Sequence, residues 1–275
     1  MTSAKDIVVQ PVAKRDADAL IRRVHYSGKV VTNSQLSLGV FLNGRLEGAM
    51  QFGPSLDKSH MLNLVRDTRW NGFLELNRMA FTDTLPRNSE SRALGVAMRM
   101  IRKHYPHIEW IVSFADACQC GDGTIYRASG FILTLIKQNK DVMRFADGSV
   151  GHKMSQVTGG NRLQHFAATG GKWSGIGTPL EGYTLRYVYF LNPAARQRLN
   201  AEELPFSAIE ARGASMYRGV RGKQAMAGTN QHSDGAAPIP TLQRQEPRGP
   251  HETRQATTAD ASEAAARQPR PAQAS

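Results

Sequence analysis

Hydrophobic and polar residues alternate with helical and strand periods along most of the chain. Residues 14–26 place apolar side chains on one face at helical spacing, which predicts an amphipathic helix. These apolar residues are Ala17, Leu20, Ile21 and Val24. Residues 36–52 then change to strand-like patterns on either side of Asn43-Gly44, and this dipeptide is the strongest short signal for a β-hairpin.

The middle of the chain predicts a strand, a helix and a second strand in succession. Residues 73–81 alternate as a strand does, and residues 91–104 have helical spacing, with Ser89 as the N-cap candidate. Residues 108–114 are almost continuously apolar, as in the central strand of a sheet. The two strands form a parallel pair with a right-handed crossover. The predicted fold class is therefore α/β, a mixed sheet flanked by helices, to which the hairpin contributes antiparallel strands.

The other segments predict shorter elements and two irregular regions. Short helices are predicted at 61–67 and 123–129, and strands at 131–136 and 183–191, the last of which closes the sheet. Residues from about 151 to 182 are rich in Gly, Ser and Thr, which indicates an irregular insertion. After about Gly219 apolar periodicity disappears, so residues 219–275 are predicted to be a disordered basic and polar tail behind a domain of residues 1–218.

The charge of the chain indicates a polyanionic partner. Its 275 residues carry a formal net charge of +12, and a lysine or arginine placed on a phosphate releases counterions. A basic protein without such a partner is the alternative. One residue separates Cys118 from Cys120, which is too tight for an easy disulfide. The sequence has neither an apolar signal-peptide core nor an apolar run of roughly 18 to 20 residues, so we expect a soluble intracellular protein.

The order of elements between Arg87 and Phe131 is the most informative feature of the sequence. A polar loop opens a helix, the helix leads into a buried strand, and a Tyr-x-x-x-Gly-Phe pattern follows from Tyr126. This order resembles the Gcn5-related acyltransferases, in which the helix start holds the pyrophosphate of an acyl-coenzyme A. A helix N-terminus binds phosphate through its unpaired N–H groups, although an ordinary capped helix is the alternative. The resemblance implies acetyl-coenzyme A as cofactor. The residues implied to bind it are Arg87, Ser89, Ser91, Arg92 and Tyr126.

Four short segments narrow this resemblance to the Mom family of phage DNA-modification proteins. The segments are Glu75-Leu76-Asn77-Arg78, Ser89-Glu90-Ser91-Arg92, Ser113-Phe114-Ala115-Asp116 and His25-Tyr26-Ser27-Gly28-Lys29. The resemblance implies that the protein converts adenine in double-stranded phage DNA to the N6-carbamoylmethyl form, in the cytoplasm of the bacterial host. It also implies that this modification protects the DNA from host restriction nucleases. Because the amine of adenine is buried in the base stack, the base must be flipped out or otherwise exposed.

Three residues are candidates for catalysis. Arg78 lies in the middle of an apolar strand, where a guanidinium needs a carboxylate, a phosphate or an open cleft. Asp116 follows the predicted central strand, and ligand sites gather at the carboxyl ends of parallel strands; capping of the next segment is the alternative. Tyr126 resembles the acyltransferase tyrosine that acts as a general acid or orients the coenzyme, and a core aromatic residue is the alternative.

His25, Tyr26 and Asp116 are candidate ligands for iron. Imidazole, phenolate and carboxylate suit this metal, but the residues alone leave a structural histidine as the alternative, and the ligand set is implied by the Mom resemblance. The family product joins the methyl carbon of the acetyl group to N6, whereas attack on a thioester would give N6-acetyladenine. This difference favours a redox-capable metal. Cys118 and Cys120 match no zinc spacing and are interpreted as non-essential thiols near the cleft.

Two functions of other classes remain open from the sequence. One is a conventional N-acetyltransferase of a protein or small molecule, and the other is a nucleic-acid-binding protein on an inactive acyltransferase scaffold. The basic charge and His25-Tyr26 argue against the first, and the intact candidate residues argue against the second. Part of a DNA-binding surface is predicted at residues 151–172, and a homodimer is left open. The residues predicted on this surface are Lys153, Arg162, Gln164 and His165.

Overall fold

A seven-stranded mixed sheet flanked by helices forms the centre of the fold, which confirms the predicted class. The computed structural model describes residues 2–145, 148–153, 177–217 and 219–221. The strands are β1 (Val8–Pro11), β2 (Leu36–Leu42), β3 (Arg45–Gly53), β4 (Phe73–Phe81), β5 (Trp110–Ala117), β6 (Ile132–Gln138), β7 (Val142–Phe145), β8 (Val150–His152), β9 (Gly177–Pro179), β10 (Tyr183–Phe190), β11 (Met216–Tyr217) and β12 (Val220–Arg221). The large sheet has the order β1-β2-β3-β4-β5-β10-β6, and β8-β7-β9 and β11-β12 form two small sheets.

Five α-helices and two 3-10 helices connect these strands in the described residues. The α-helices are α1 (Lys14–Val24), α2 (Lys58–Leu62), α3 (Ser89–His104), α4 (Thr124–Ala128) and α5 (Ser207–Ala211), and the 3-10 helices are Ala4–Asp6 and Pro193–Arg198. None of the helices described is long and apolar enough to cross a membrane. The chain divides into a unit of residues 1–227 and a second of residues 228–275. The second unit lies outside the described residues, so the domain boundary predicted at 218 stays a prediction.

The first helix and the hairpin confirm the predictions made from local patterns. The predicted helix 14–26 corresponds to α1, whose apolar face packs on the alanines Ala49 and Ala80 of β3 and β4. Strands β2 and β3 pair antiparallel. Asn43 and Gly44 both adopt positive φ values, of 51° and 76°, as a tight two-residue hairpin turn requires.

Strands β4 and β5 pair in parallel over three positions only. Phe73, Leu74 and Glu75 pair with Trp110, Ile111 and Val112. Beyond these pairs both strands continue, but β4 and β5 no longer pair with each other. A change of register against β3 at Gln51/Phe52 adds a bulge to the same part of β4, and bulges of this kind re-aim side chains. The two strands therefore leave an opening between their carboxyl-terminal halves, next to the start of α3.

Neighbouring residues along β3 and β4 show that α1 and α3 lie on opposite faces of the sheet. Ala49 and Ala80 pack under α1, whereas Met50 and Met79 pack in the cluster that contains Leu94 of α3. Successive side chains of a strand point to opposite faces. The α3 and α4 side is hereafter the helix face, and the α1 side is the open face.

Three boundaries predicted from the sequence are wrong. The helix predicted at 61–67 is α2, and it begins earlier because Asp57 accepts the backbone N–H of His60 at 3.2 Å. The predicted N-cap of α3, Ser89, is the first helical residue, and Asn88 at φ 69° stands at the cap instead. The central strand begins at Trp110, since a turn joins Ile108 to Tyr105.

Strand β10 corrects the prediction that residues 183–191 close the sheet. This strand lies between β5 and β6 and is antiparallel to both, so β6 is the edge. The position explains its burial, because Leu185, Tyr187 and Val188 are all fully buried. The ends of the predicted irregular insertion form β8 and β9, and the hairpin β11-β12 crosses the predicted start of the tail. Residues 154–176 and 222–275, with Arg162, Gln164 and His165, lie outside the described residues.

Candidate active site

A hydrogen bond joins Tyr26, just after α1, to Asp116 near the end of β5. The phenol Oη of Tyr26 donates to Oδ2 of Asp116 at 3.1 Å across a sequence separation of 90 residues. The ring of His25 stacks on that of Tyr26 with 4.3 Å between the centroids. All three predicted metal-binding residues therefore meet on the open face, at the edge of the opening between β4 and β5.

Asp116 lies within β5, where it pairs with Thr184, and not after the strand as predicted. Its carboxylate also orders the turn that follows. Oδ1 accepts the backbone N–H of Cys118 at 2.9 Å, and Oδ2 accepts the side-chain amide of Gln119 at 2.8 Å. Asp116 thus caps the turn that follows β5 and also contacts Tyr26, because one carboxylate has acceptor sites for both.

His25 is neutral at physiological pH in this environment. Burial and the positive charge of Arg78 lower its pKa to about 4, and the charge of Asp116 opposes both effects. Its Nδ1 lies 2.9 Å from Oγ of Ser27 and 3.2 Å from the Ser27 backbone N–H. If Nδ1 donates to the Ser27 hydroxyl, the lone pair of Nε2 is free; if Nδ1 accepts the backbone N–H, Nε2 carries the proton. A metal could therefore bind through Nε2 only in the tautomer in which Nδ1 donates to the Ser27 hydroxyl.

Tyr26 remains protonated beside the carboxylate. Although Tyr26 is 50% exposed, desolvation raises the pKa of its phenol, and the charge and the hydrogen bond of Asp116 raise it further. Ionisation of this phenol needs a cation close to both oxygens. Metal–oxygen bonds of roughly 2.0–2.2 Å at right angles separate two donor atoms by about 3 Å, which is close to the observed 3.1 Å between the Tyr26 and Asp116 oxygens.

The donor set fits a metal only when the phenol is included. Within the described residues, no group of three His, Cys, Asp or Glu side chains could hold a metal ion. His25 and Asp116 supply two such side chains, and Tyr26 would supply the third donor. A site of one neutral imidazole, one phenolate and one carboxylate suits iron more than zinc, whose sites consist mainly of Cys, His and carboxylates.

Arg78 links strand β4 to the segment after α1 through hydrogen bonds to backbone carbonyl oxygens. Its Nε donates to the carbonyl oxygen of Lys29 at 3.1 Å, and Nη1 donates to that of Asn77 at 2.8 Å. A carboxylate was one of the partners predicted for Arg78, but Arg78 forms no ion pair with a carboxylate among the described residues. The half-buried guanidinium instead holds the segment after α1 against β4 on the open face. Its catalytic role stays a prediction.

Tyr126 lies on the helix face, away from Tyr26 and Asp116. Its ring packs between Phe131 and Tyr187, with centroid distances of 5.3 and 5.2 Å. The side chain is 9% exposed, and burial raises its pKa to about 12 although Ser113 lowers it. This is the environment of a core aromatic residue, the alternative stated above, and the predicted roles of Tyr126 in catalysis and coenzyme binding stay predictions.

A cationic cavity of about 750 Å³ lies at the start of α3. Four of its lining residues are cations, namely Lys5, Arg87, Arg92 and Arg99, and none is acidic. Ser91 also lines it and donates its hydroxyl to the Asn88 carbonyl oxygen at 3.2 Å. Gly95 opens the wall, because a Cβ there would meet only Arg99, at 3.7 Å. Three of the four helix-start residues predicted to bind coenzyme thus line one cavity.

Ser89 is the exception, since its side chain turns into the core. It is 1% exposed, and its hydroxyl has no hydrogen-bond partner among the described residues. The sequence analysis did not identify Lys5 and Arg99. Arg99 lies seven residues after Arg92, which at helical spacing is the same face, so this residue was recognisable. Lys5 was not, because it reaches the cavity only through the 3-10 helix Ala4–Asp6.

The two cysteines lie between the open-face site and the start of α3. Burial raises the pKa of Cys120, and the charges of Asp116 and Glu90 raise it further. Burial and Asp116 raise the pKa of Cys118 to about 12. Both thiols are free and stay protonated, so neither is an activated nucleophile. The influence of Asp116 and Glu90 on one thiol shows that the open-face site and the first turn of α3 are neighbours.

Comparison with known proteins gives matches in sequence and in structure. The sequence profile of the Mom protein family matches residues 6–208. Over 203 residues the chain is 37% identical to methylcarbamoylase mom of Escherichia phage Mu, which covers 72% of this chain and 81% of that protein.

Two solved structures are similar at low identity. An IAA acetyltransferase from Bacillus cereus has 12% identity and a TM-score of 0.38, with 67% of this chain and 99% of that one covered. An acetyltransferase of the GNAT family from Streptococcus pneumoniae has 9% identity and a TM-score of 0.38, with coverage of 67% and 98%.

Proposed function

The chain belongs to the Mom protein family, and from this membership and the geometry of the site we propose that it is a transferase that modifies adenine in phage DNA. The proposed product is the N6-carbamoylmethyl base, the proposed donor is acetyl-coenzyme A, and the modified DNA resists host restriction nucleases. The observation that carries the proposal is the contact between Tyr26 and Asp116, at an opening whose other side has a cationic cavity.

The cavity at the start of α3 supports the use of a coenzyme with a pyrophosphate. Lys5, Arg87, Arg92 and Arg99 bring four positive charges to the cavity, and the first turn of α3 adds unpaired backbone N–H groups and a partial positive charge. A coenzyme whose pyrophosphate binds there would place its thioester near the opening between β4 and β5, which lies next to the start of α3. Ser91 also lines the cavity, and its side chain would contact the bound phosphate.

The separation of the two faces supports a reaction between two substrates. The coenzyme would enter from the helix face, and the adenine would reach the opening from the open face, where Tyr26 and Asp116 meet. The +12 charge of the chain suits DNA as the polyanionic substrate. Asp116 would orient the exocyclic amine of the adenine through its carboxylate.

Iron belongs to the proposal as a cofactor. His25, Tyr26 and Asp116 would hold it, and the 3.1 Å between the Tyr26 and Asp116 oxygens supports this ligand set. A bound iron would supply Lewis-acid and redox chemistry. Joining the acetyl methyl carbon to N6 breaks one C–H and one N–H bond and removes two electrons, so the proposed reaction also requires an electron acceptor. Conversion of the thioester to the amide requires a nitrogen donor and releases coenzyme A. The protein would contribute the imidazole, the carboxylate and the phenol as ligands, and the phenol would lose its proton only with the metal bound.

Mass spectrometry of nucleosides from DNA co-expressed with the full chain tests the proposal. We expect N6-carbamoylmethyladenine with the wild type and none with Asp116→Asn. N6-acetyladenine, or unmodified DNA together with an acetylated protein or small molecule, would identify a conventional acetyltransferase. Unmodified DNA without any acetylated product, combined with tight DNA binding, would identify a binding protein on the acyltransferase scaffold.

A further inference from the structure

Phe114 is exposed in the middle of an otherwise buried strand. The side chains of Trp110, Ile111 and Val112 are fully buried, whereas Phe114 is 37% exposed. Because side chains alternate along β5, Phe114 lies on the same face as Asp116, two residues further on. This is the open face, where α1 covers β2, β3 and β4. Phe114 therefore offers an aromatic surface next to the contact between Tyr26 and Asp116.

Arg186 lies directly across from Phe114 on β10. Its Nε donates to Oγ1 of Thr134 at 3.0 Å, and its Nη2 lies 3.4 Å from the Thr134 carbonyl oxygen. These contacts hold the guanidinium in place, but in the described part of the chain no carboxylate forms an ion pair with it. A half-buried guanidinium without a counter-charge is costly, so a bound anion would offset this cost.

We propose that Phe114 and Arg186 form a nucleotide platform, on which the flipped adenine stacks against Phe114 while Arg186 binds a neighbouring phosphate of the same DNA strand. The inference rests on the proposed function and names the substrate-binding residues of the same site. Residues two apart on a strand are roughly 7 Å from each other. An adenine over Phe114 therefore presents its edge to Asp116 and Tyr26.

The surroundings of Phe114 favour a nucleotide over an apolar partner. Its cross-strand neighbours on the open face are Arg186 and, beside Asp116, Thr184, and the next strand places Lys137 opposite Thr184. One exposed ring among cations and hydroxyls is too small an apolar area for a protein interface. An aromatic ring next to a fixed cation is the usual means of binding a base and its phosphate.

The test compares the affinity of the full chain for two probes, a short single-stranded oligodeoxyadenylate and an oligonucleotide of equal length with abasic sites. We expect the wild type to prefer the oligodeoxyadenylate by about 10-fold or more, the effect of stacking a base on an aromatic side chain. Phe114→Leu should remove this preference, and Phe114→Trp should retain it. Arg186→Gln should weaken the binding of both probes equally. It should also reduce the slope of log affinity against log salt by about 0.7.

Two surface variants serve as matched controls. Phe206 is 40% exposed before α5, and Arg15 is exposed in the first turn of α1. Phe206→Leu should keep the base preference, and Arg15→Gln should change affinity less than Arg186→Gln does. If Phe114→Leu does not unfold cooperatively, Phe114→Met is used in its place. The same loss of preference for the oligodeoxyadenylate is expected of this variant.

The outcomes separate the platform from the proposed function. An unchanged preference in the folded Phe114 variant, or equal affinity of the wild type for both probes, overturns the platform. If the wild type leaves co-expressed DNA unmodified but its base preference depends on Phe114, the proposed function fails and the platform stands. If wild type and Phe114→Leu modify DNA equally and show the same base preference, the platform alone fails.

Discussion

The guanidinium of Arg78 donates to the carbonyl oxygen of Lys29 at 3.1 Å and so ties strand β4 to the segment that carries His25 and Tyr26. The same positive charge lowers the pKa of His25. Arg78 therefore positions the open-face site and adds to the effect of burial, which is the main cause of the lowered pKa of His25. These contacts favour a positioning role, and the catalytic role of Arg78 stays a prediction.

Replacement of Arg78 should change the titration of His25. In Arg78→Met we expect the pKa of His25 to rise from about 4, because a nearby positive charge no longer disfavours the imidazolium. The measurement is an NMR titration of the His25 ring. Arg78→Lys keeps the charge and should raise this pKa less. An unshifted His25 in Arg78→Met would contradict the assigned interaction.

Removal of the charge of Asp116 should separate metal binding from coenzyme binding. In Asp116→Asn the pKa of Tyr26 should fall, because the Asp116 carboxylate raises it, and an ultraviolet titration of the phenol measures the change. We also expect loss of bound iron, by metal analysis, and loss of DNA modification, while the calorimetric affinity for acetyl-coenzyme A stays unchanged. Asp83→Asn, at an exposed position before α3, is the control and should change none of these.

The two serines at the start of α3 should respond differently. Ser91→Glu places a negative charge in the cationic cavity. It should weaken the binding of acetyl-coenzyme A by on the order of 1–3 kcal/mol, the scale of a lost charge-assisted hydrogen bond. Ser89→Ala should leave the affinity unchanged, since Ser89 is buried away from the cavity. Calorimetry on both variants decides, and equal weakening by both would argue against the cavity as the pyrophosphate site.

The stability of the fold should fall as the pH is lowered from about 6.5 to 4. Burial depresses the pKa of His25 from 6.5 to about 4, so in this window the unfolded chain binds a proton that the folded protein does not. With allowance for partial exposure, the loss is on the order of 1–3 kcal/mol. Thermal unfolding at several pH values measures it.

His25→Gln is the matched variant for this pH dependence. Its unfolding midpoint should vary less with pH inside the window, because glutamine does not titrate. Below the window both proteins should lose stability, since Asp18 and Glu47 have lowered pKa values and lose their stabilising charge as they become protonated. Parallel curves for the wild type and His25→Gln between pH 6.5 and 4 would show that His25 is not the group responsible.

Local patterns of the sequence predicted the elements that are decided by neighbouring residues. The helix α1, the hairpin around Asn43-Gly44, the strand β4 and most of α3 follow from periodicity and turn chemistry within a few residues. The boundary errors at α2 and Ser89 arise where capping contacts compete. The His25-Tyr26 pair was selected through the family resemblance, whereas Asp116 was also selected by its position at the end of the predicted central strand.

Only the tertiary structure decided which distant residues meet and which face each one occupies. The contact between Tyr26 and Asp116, the entry of Lys5 and Arg99 into the cavity, and the insertion of β10 between β5 and β6 all depend on non-local pairing. The same holds for Tyr126, which packs on the helix face, whereas the resemblance implies a role in catalysis and coenzyme binding. A strand pattern determines which side chains alternate, but the neighbouring strands and the helix above each face determine whether a side chain is buried in the core or faces a ligand.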